Sequence, residues 1–320
     1  MTLDDILDKI KQSKTIVILT HESPDGDAVG SSLAMKLIVE EINKEANIDV
    51  IIPEYSRLFK FLPRAEEIKE ESVVEKYDLA ISVDCADFKR LAGNKYFENS
   101  KSTIVIDHHG SNKMYGDLNY VNPVSPACCE VIAGMLKYYE INITRDIGTC
   151  LMTGIITDTG GFRHSGITPE TFEFTADLIR LGVDIPDIYK RTLRTKTRAN
   201  FELTKRIMDR LEILESGRVT FTYMTQKDEK EVMAEPGDHE GLVDIGMDIE
   251  GVEVSIFIRQ KENEEAYKIS MRSGTDSINV SDICLMFGGG GHPRAAGALI
   301  QGDIEQVKEK VLNEVRKVLK

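Results

Sequence analysis

The chain has 320 residues, of which 41% are hydrophobic and 29% are charged. This length and composition predict about two globular domains and exclude a disordered, collagenous or coiled-coil chain. The net charge of −14 at pH 7 disfavours binding to duplex DNA, because the overall field repels a polyphosphate.

Neither the start of the chain nor any later segment has the apolar length of a signal peptide or a membrane span. The five cysteines form no CxxC pair and leave one thiol unmatched in any disulfide scheme. This usage is typical of buried, reduced thiols. We therefore expect a soluble, cytoplasmic protein with no membrane partner, no disulfide framework and no structural zinc.

In the first half, short β-branched runs alternate with helical patterns. Strands are predicted at 15–20, 48–52, 79–83 and 103–106. The runs are nearly continuous in apolar character, as in parallel sheets covered on both faces. The pattern predicts an α/β fold with a mostly parallel sheet flanked by helices.

From about residue 126 the pattern becomes helical, and a smaller α/β unit follows. Helices are predicted at 129–139, 145–157, 168–182, 280–287 and 304–319, and residues 184–215 are predicted to form one or two further helices. Strands of the second unit are predicted at 219–222, 252–258 and 267–271. We predict a first domain at 1–185, a helical linker at 186–216 and a second domain at 217–320.

The first strand is followed by His21, Glu22, Ser23, Pro24, Asp25, Gly26 and Asp27. Ligands of open α/β sheets bind beyond the carboxyl ends of the strands, where this imidazole and these carboxylates fall. Asp25 and Asp27 can supply oxygens to two different cations. The alternative is an Asx-rich turn in which Asp27 caps the next helix.

Two more strands turn acidic at the same edge. The third ends at Val83 and Asp84, and the fourth ends at Asp107, followed by His108 and His109. A single aspartate after a strand is usually a turn residue, but three parallel strands that all end in potential ligands are much less expected by chance. These residues therefore join the candidate site.

Asp158 closes an apolar helix before the glycines at 160–161. A carboxylate at a helix C-terminus is unfavourable, because it opposes the helix macrodipole. Metal binding would explain why an aspartate lies at this position. The other candidates at the same crevice are His21, Asp25, Asp27, Asp84, Asp107, His108 and His109. So many carboxylates together require cations, because like charges raise each other's pKa.

The donor set combines carboxylate oxygens with imidazoles and contains no thiolate. This chemistry favours Mn²⁺, with Mg²⁺ or Co²⁺ as alternatives. We expect two divalent cations, because their four positive charges would balance the cluster.

Four motifs in order, HESPDGD at 21–27, VD at 83–84, DHH at 107–109 and TDTGG at 157–161, resemble those of the DHH phosphoesterase superfamily. Three further segments, KISMRS at 268–273, FGGGGH at 287–292 and AAG at 295–297, resemble the companion DHHA1 domain. The compact two-domain form is most similar to the NrnA-type bifunctional oligoribonucleases and PAP (3′-phosphoadenosine 5′-phosphate) phosphatases. The resemblance implies a DHH metal-binding catalytic domain followed by a DHHA1 substrate-binding domain.

The resemblance also implies a role for each residue of the first domain. His21 and Asp25 would hold one metal, and Asp84 would bridge to the second. The second metal would be held by Asp27, His108 and Asp158. Asp107 would accept hydrogen bonds behind the ligands or act as an occasional ligand, and His109 would face the scissile phosphate. Asp84, His109 and Asp107 are thus the predicted catalytic residues.

The glycine run before His292 has its own physical interpretation. Consecutive glycines let backbone N–H groups approach a phosphate or sugar closely, although such runs are more often flexible loops. Arg272 and His292 suit an anionic substrate terminus. By resemblance, the substrate-binding residues are Arg272, Ser273, Gly289, Gly290, Gly291 and His292.

These features predict a two-metal phosphodiesterase in which water attacks phosphorus in line and the ribose 3′-oxygen leaves. The expected substrates are short single-stranded RNA or dinucleotides, giving nucleoside 5′-monophosphates, and PAP, giving AMP. The sequence does not decide the oligomeric state and leaves a homodimer open.

Four alternatives remain at this stage. A cyclic di-AMP or pApA phosphodiesterase of the same architecture is the hardest to exclude. A RecJ-like exonuclease would normally carry an added nucleic-acid-binding domain, and a family II pyrophosphatase or polyphosphatase has a different second domain. A non-enzymatic nucleotide-sensing module is disfavoured by the intact ligand set.

Overall fold

The computed structural model describes residues 3–164, 166–235, 237–239, 241–261 and 266–319. The chain divides into two compact units, Met1–Thr195 and Lys196–Lys320. In the described part of the chain, no helix combines the length and apolar character needed to cross a bilayer. All five cysteines are free and buried, as predicted.

The first unit is built on a parallel sheet. Its strands within the described residues are β1 (Thr15–Leu19), β2 (Asn47–Ile51), β3 (Ile68–Lys69), β4 (Leu79–Val83), β5 (Thr103–Asp107) and β6 (Leu118–Val121). They pair in the order β3-β2-β1-β4-β5-β6, with every neighbouring pair parallel. The predicted α/β class is therefore confirmed.

Helices cover both faces of this sheet. They are α1 (Leu3–Gln12), α2 (Gly26–Ile42), α3 (Asn94–Glu98), α4 (Cys128–Tyr138), α5 (Arg145–Asp158), α6 (Pro169–Arg180) and α7 (Ile185–Tyr189). Along β1, Ile16 and Ile18 join one apolar cluster with α2, α4 and α5, while Val17 and Leu19 join a second cluster. Burial on both faces explains the continuous apolar runs from which the strands were predicted.

The second unit has a mixed sheet in the order β11-β12-β10-β9-β8-β7, with only β8 and β9 parallel among its described neighbours. Its strands are β7 (Glu212–Leu214), β8 (Val219–Met224), β9 (Val254–Gln260), β10 (Ala266–Ser273), β11 (Gly290–His292) and β12 (Ala295–Gln301). Its helices are α8 (Arg198–Asp209), α9 (Gln226–Val232), α10 (Val280–Leu285) and α11 (Ile304–Val318). Side chains of α10 and α11 pack on one face of this sheet.

The helix predicted to run to residue 215 is wrong at its end. Helix α8 ends at Asp209, and Glu212–Leu214 forms β7, which pairs antiparallel with β8. The turn between them has positive φ at Glu215, Ser216 and Gly217. This left-handed reversal is not visible in the apolar pattern, because Ile213 and Leu214 fit either element.

Strands β3, β6, β11 and β12 were not predicted. Strand β3 has only two residues, and every residue of β6 is half-buried, so neither gives the apolar signal of the central strands. Strands β11 and β12 are rich in glycine and alanine, which have low strand propensity. The pairing with neighbouring strands outweighs that propensity.

Candidate metal centre

The candidate ligands of the first unit meet where the strand order reverses. β1 has β2 on one side and β4 on the other, so the connections that leave β1 and β4 diverge and open a crevice at the carboxyl edge. His21 lies just beyond β1, Asp84 follows β4 directly, and Asp107 is the last residue of β5. The topology alone therefore brings three motifs to one edge.

Helix α2 contributes two carboxylates that serve different purposes. Asp25 is its N-cap, and Asp25 Oδ1 accepts hydrogen bonds from the backbone N–H groups of Asp27 (3.0 Å) and Ala28 (3.1 Å). The alternative that Asp27 caps this helix is therefore wrong. Asp27 lies within the first turn and is fully buried.

Helix α4 fixes the Asp27 carboxylate with its first two peptide groups. The N–H of Cys128 donates to Asp27 Oδ2 at 2.6 Å, and that of Cys129 donates to Oδ1 at 2.9 Å. A helix N-terminus favours a negative charge at this position. Helix α5 passes so close that a Cβ at Gly154 would overlap Asp27 Oδ1, so glycine is required there.

His21, Asp25 and Asp84 form a first group, whose potential ligand atoms all lie within 4.8 Å of one another. His21 Nδ1 lies 2.9 Å from the carbonyl oxygen of Glu22 and donates to it. That bond leaves Nε2, which lies 3.7 Å from Asp84 Oδ2, with a lone pair for a metal.

Asp27, His108 and Asp158 form a second group within the same limit. His108 Nε2 lies 3.3 Å from Asp158 Oδ2 and 4.0 Å from Asp27 Oδ2. The other ring nitrogen, Nδ1, is 3.3 Å from the carbonyl oxygen of Ser125. Asp158 is the last residue of α5, as its position before the glycine turn predicted.

Asp84 lies between the two groups. Its Oδ2 faces His21 of the first group, and its Oδ1 lies 3.4 Å from His108 Nε2 of the second. Among the described residues, the buried Oδ1 accepts no hydrogen bond. Asp84 also has a φ of 52°, a left-handed conformation that non-glycine residues adopt rarely and mostly at functional sites.

Asp107 is engaged differently from the other carboxylates. Its Oδ1 accepts from the N–H of His108 at 2.8 Å and from Nδ1 of His109 at 2.7 Å. Its Oδ2 accepts from the side-chain amide of Asn112 at 2.6 Å. Because both oxygens already have donors, this carboxylate is placed to orient His109.

The crowded carboxylates shift the pKa values of the cluster. Burial and the charge of Asp84 raise the pKa of Asp27 to about 7, and burial and the charge of Asp27 raise that of Asp158 well above its usual range. Burial opposes a charge on His108 and His21, yet Asp84 and the other carboxylates raise their pKa values to about 11 and about 9.

The residues fit a pair of divalent cations on two grounds. The crowded carboxylates raise one another's affinity for protons, a charge that cations would balance, and a buried oxygen of Asp84 has no hydrogen-bond donor within the part of the chain that the structure describes. Oxygen and imidazole donors without a thiolate suit Mn²⁺, Mg²⁺ or Co²⁺. The acidic and histidine side chains of the first unit thus form a candidate metal site.

Two of the predicted substrate residues, Arg272 and His292, share one face of the sheet in the second unit, whereas Ser273 follows Arg272 on β10 and is buried on the opposite face. Arg272 of β10 and His292 of β11 both lie directly opposite Ala295 of β12, one strand on either side of it. Directly opposed residues point to the same face, so Arg272 and His292 have Cα atoms roughly 10 Å apart across the alanine. Arg272 Nε donates to Asp244 at 2.9 Å, and the Ser273 hydroxyl donates to the carbonyl of Thr275.

The glycine run has a steric explanation at two of its positions. A Cβ at Gly289 would overlap the carbonyl oxygen of Gly297, and a Cβ at Gly291 would approach that of Ala295 to 2.5 Å. Strand pairing therefore requires these two glycines. At Gly290 a Cβ would meet, among the described residues, only the side chain of Leu285, at 3.9 Å, so packing within them does not require that glycine.

The sequence analysis missed the residues that orient the candidate metal ligands of the first unit. Asn112 and Tyr115 both bond to the carbonyl of Cys85, and the N–H groups of Cys128 and Cys129 hold Asp27. The backbone donors carry no side-chain signal. The sequence signal for this site came from the acidic residues at the ends of the strands. Residues 112–129 carry no comparable signal, so their role was not predicted.

Comparison with known proteins agrees with the two-unit architecture. Residues 15–155 match the model of the DHH family, N-terminal domain, and residues 218–320 match that of the DHHA1 domain. The bifunctional oligoribonuclease and PAP phosphatase NrnA of Thermus thermophilus is 33% identical over 95% of this chain and 90% of that protein. A probable bifunctional oligoribonuclease and PAP phosphatase of Streptococcus mutans is 27% identical over 98% of both chains.

A solved structure shares the fold. An exopolyphosphatase-related protein from Bacteroides fragilis superposes with a TM-score of 0.88 over 99% of this chain and 97% of that one, at 23% identity.

Proposed function

We propose that this chain, which belongs to the DHH phosphoesterases that carry a DHHA1 domain, hydrolyses short oligoribonucleotides to nucleoside 5′-monophosphates and converts PAP to AMP. The main support for this proposal is the position of Asp84 between two groups of potential metal ligands. Its Oδ2 faces the first group and its Oδ1 faces the second. The names of the relatives that match nearly the whole chain support the substrate class.

In this proposal His21 and Asp25 hold one cation, Asp27, His108 and Asp158 hold the second, and Asp84 binds both. When bound, the cations neutralise phosphate charge and lower the pKa of water, which is the chemistry that phosphodiester hydrolysis needs. Mn²⁺ is the preferred ion, because the donor set mixes carboxylate oxygens with imidazoles.

His109 acts on the substrate rather than on the cations. Its Nδ1 is held by Asp107 at 2.7 Å, which orients the ring, and in this proposal Nε2 acts on the scissile phosphate. A protonated Nε2 can donate to a phosphate oxygen or to the departing ribose oxygen. Asp107 fixes the orientation of the ring.

In this proposal the substrate is bound by four residues of the second unit, Arg272, Ser273, Gly290 and His292. Arg272 supplies a guanidinium suited to phosphate, and Gly290 lets backbone approach a ligand at a position where packing would tolerate a side chain. Gly289 and Gly291 support this segment through strand pairing. The net charge of −14 favours short substrates over long strands or duplex DNA, because extended nucleic acid would be repelled.

The test is product analysis with Mn²⁺ over a panel of dinucleotides, RNA of increasing length, PAP, pApA, cyclic di-AMP and pyrophosphate. We expect kcat/KM to be highest for RNA of about two to five nucleotides and to fall for a strand of about twenty. Release of AMP from PAP is expected in the same preparation. Equal efficiency on the longer strand, or activity confined to cyclic di-AMP and pApA, would contradict the proposal.

A further inference from the structure

Tyr115 lies outside the four motifs, yet it contacts the backbone next to Asp84. We propose that Tyr115 is a positioning residue that fixes Asp84 through the carbonyl group of Cys85. The inference rests on the proposed function, in which Asp84 binds both cations.

The hydroxyl of Tyr115 is the middle of a directed hydrogen-bond chain. It lies 2.9 Å from the carbonyl oxygen of Cys85, to which it donates, and 2.7 Å from the hydroxyl of Ser82. A tyrosine hydroxyl has one proton, so Ser82 must be the donor in the second bond. Residues 82 and 85 lie on either side of Asp84, and Tyr115 therefore ties the two ends of this short segment together.

The backbone at Asp84 needs such support. Its φ of 52° lies in the left-handed region, which costs free energy in a non-glycine residue and persists only where the surroundings hold it. The Cys85 carbonyl also accepts from the side-chain amide of Asn112 at 3.2 Å, and the N–H of Lys113 donates to the carbonyl of Ala86 at 3.0 Å. The segment at 112–115 thus clamps the turn that presents Asp84.

The aromatic ring of Tyr115 is held independently of its hydroxyl. It packs against Phe88 and Phe97, with ring centroids 6.0 Å and 5.4 Å away. Tyr115→Phe therefore removes both hydrogen bonds of the hydroxyl and keeps the packing of the ring. The variant therefore distinguishes an effect on the position of Asp84 from an effect on the stability of the fold.

Tyr96 provides a matched control within the same apolar cluster. It is buried, and its hydroxyl also donates to a backbone carbonyl, that of Ser72 at 3.1 Å, away from the candidate ligands. Tyr96→Phe removes the same chemical group from a place that does not support Asp84. Ser82→Ala is a graded variant, because the Tyr115 hydroxyl can still donate to Cys85.

The experiment compares Tyr115→Phe, Ser82→Ala and Tyr96→Phe with the wild type in the full-length chain. The readouts are the Mn²⁺ affinity of metal-free protein by electron paramagnetic resonance, kcat and KM on a dinucleotide, and the melting temperature in chelator. We expect Tyr115→Phe to lose roughly tenfold in Mn²⁺ affinity and in kcat, corresponding to about 1.4 kcal/mol. We expect KM to stay near the wild-type value, and the loss in Ser82→Ala to be smaller.

The melting temperatures of Tyr115→Phe and Tyr96→Phe in chelator should fall by similar amounts, and Tyr96→Phe should keep wild-type Mn²⁺ affinity. Wild-type Mn²⁺ affinity and kcat in Tyr115→Phe, or equal losses in Tyr96→Phe, would overturn the inference. If the wild type binds Mn²⁺ but hydrolyses no substrate of the panel, the proposed function fails. The Mn²⁺ affinities of the variants would still decide the role of Tyr115.

Discussion

Asp107 Oδ1 accepts a hydrogen bond from His109 Nδ1 at 2.7 Å, while Asp107 Oδ2 is occupied by the side chain of Asn112. Together with the N–H of His108, which also donates to Oδ1, these donors occupy three of the roughly four acceptor positions of the carboxylate. The resemblance to the family left two roles for Asp107, an occasional ligand or an acceptor behind the ligands. The geometry favours the second role.

Asp107→Asn separates the two roles. An amide can accept only through its oxygen, and its NH₂ group would face either His109 or Asn112 as a second donor. We expect kcat to fall roughly 100-fold, the lower end of what a positioned acid or base contributes. Mn²⁺ stoichiometry, measured on the same preparation, should match that of the wild type. Loss of a bound Mn²⁺ would identify Asp107 as a ligand instead.

Asp158→Asn should affect the metal-free and metal-loaded protein in opposite directions. Burial and the neighbouring acids disfavour the ionised form of the Asp158 carboxylate at the C-terminal end of α5, so a neutral amide there should stabilise the metal-free protein by about 1 kcal/mol at neutral pH. The same change should reduce the rise in melting temperature that Mn²⁺ produces. Thermal unfolding with chelator and with Mn²⁺ measures both effects.

Asp146 is the control for that experiment, because it lies in the first turn of the same helix. A carboxylate there favours the helix, so Asp146→Asn should lower stability slightly and leave the Mn²⁺ effect unchanged. If Asp158→Asn destabilises the metal-free protein as Asp146→Asn does, the repulsion described for the cluster is incorrect.

Asp228 should make the second unit sensitive to acid. It accepts hydrogen bonds from Arg210 at 2.6 Å and 2.9 Å, from Arg206 at 3.2 Å and from the N–H of Thr225 at 2.8 Å. Although burial opposes ionisation, these donors hold the pKa of Asp228 well below its usual range. The stabilisation is therefore complete above the unfolded pKa of about 4 and is lost as the pH falls from there toward the lower folded pKa.

We expect Asp228→Asn to lower the free energy of unfolding by about 1 to 3 kcal/mol at neutral pH. The difference from the wild type should shrink below about pH 4. Urea unfolding at several pH values, with the exposed Asp209→Asn as a control, measures this dependence. A difference that stays constant down to about pH 2 would contradict the assignment.

Arg272→Ala and His292→Ala should mainly raise KM, because these residues are proposed to hold the substrate. A charge-assisted contact is worth about 1.5 to 3 kcal/mol, or roughly 10- to 150-fold in kcat/KM. Gly290→Ala should also raise KM without a change in melting temperature, since its Cβ would make only an ordinary contact. Steady-state kinetics with PAP and with a dinucleotide test all three variants. Wild-type KM values in all three variants would show that these residues of the second unit do not bind the substrate.

The sequence predicted the parts of the fold and site that depend on local pattern. Asp84 and Asp107 follow buried strands, and parallel strands bring their carboxyl ends to one edge, so their convergence could be inferred. The contact of Asp27 with Cys128 joins residues 101 positions apart through a backbone N–H, which has no side-chain signature. The left-handed φ of Asp84 and its support by Tyr115 depend on tertiary packing in the same way.

Asp84→Asn is the decisive variant, because Asp84 is proposed to bind both of the cations that phosphodiester hydrolysis requires. Asparagine tolerates the left-handed backbone at this position, so the variant changes the charge and preserves the turn. The measurement is a Mn²⁺ titration of metal-free protein, followed by turnover of a dinucleotide at saturating Mn²⁺. We expect the wild type to bind two Mn²⁺ ions. Asp84→Asn should lose at least one of these ions and show no detectable turnover. Two bound Mn²⁺ and substantial turnover in Asp84→Asn would contradict the proposed role of Asp84.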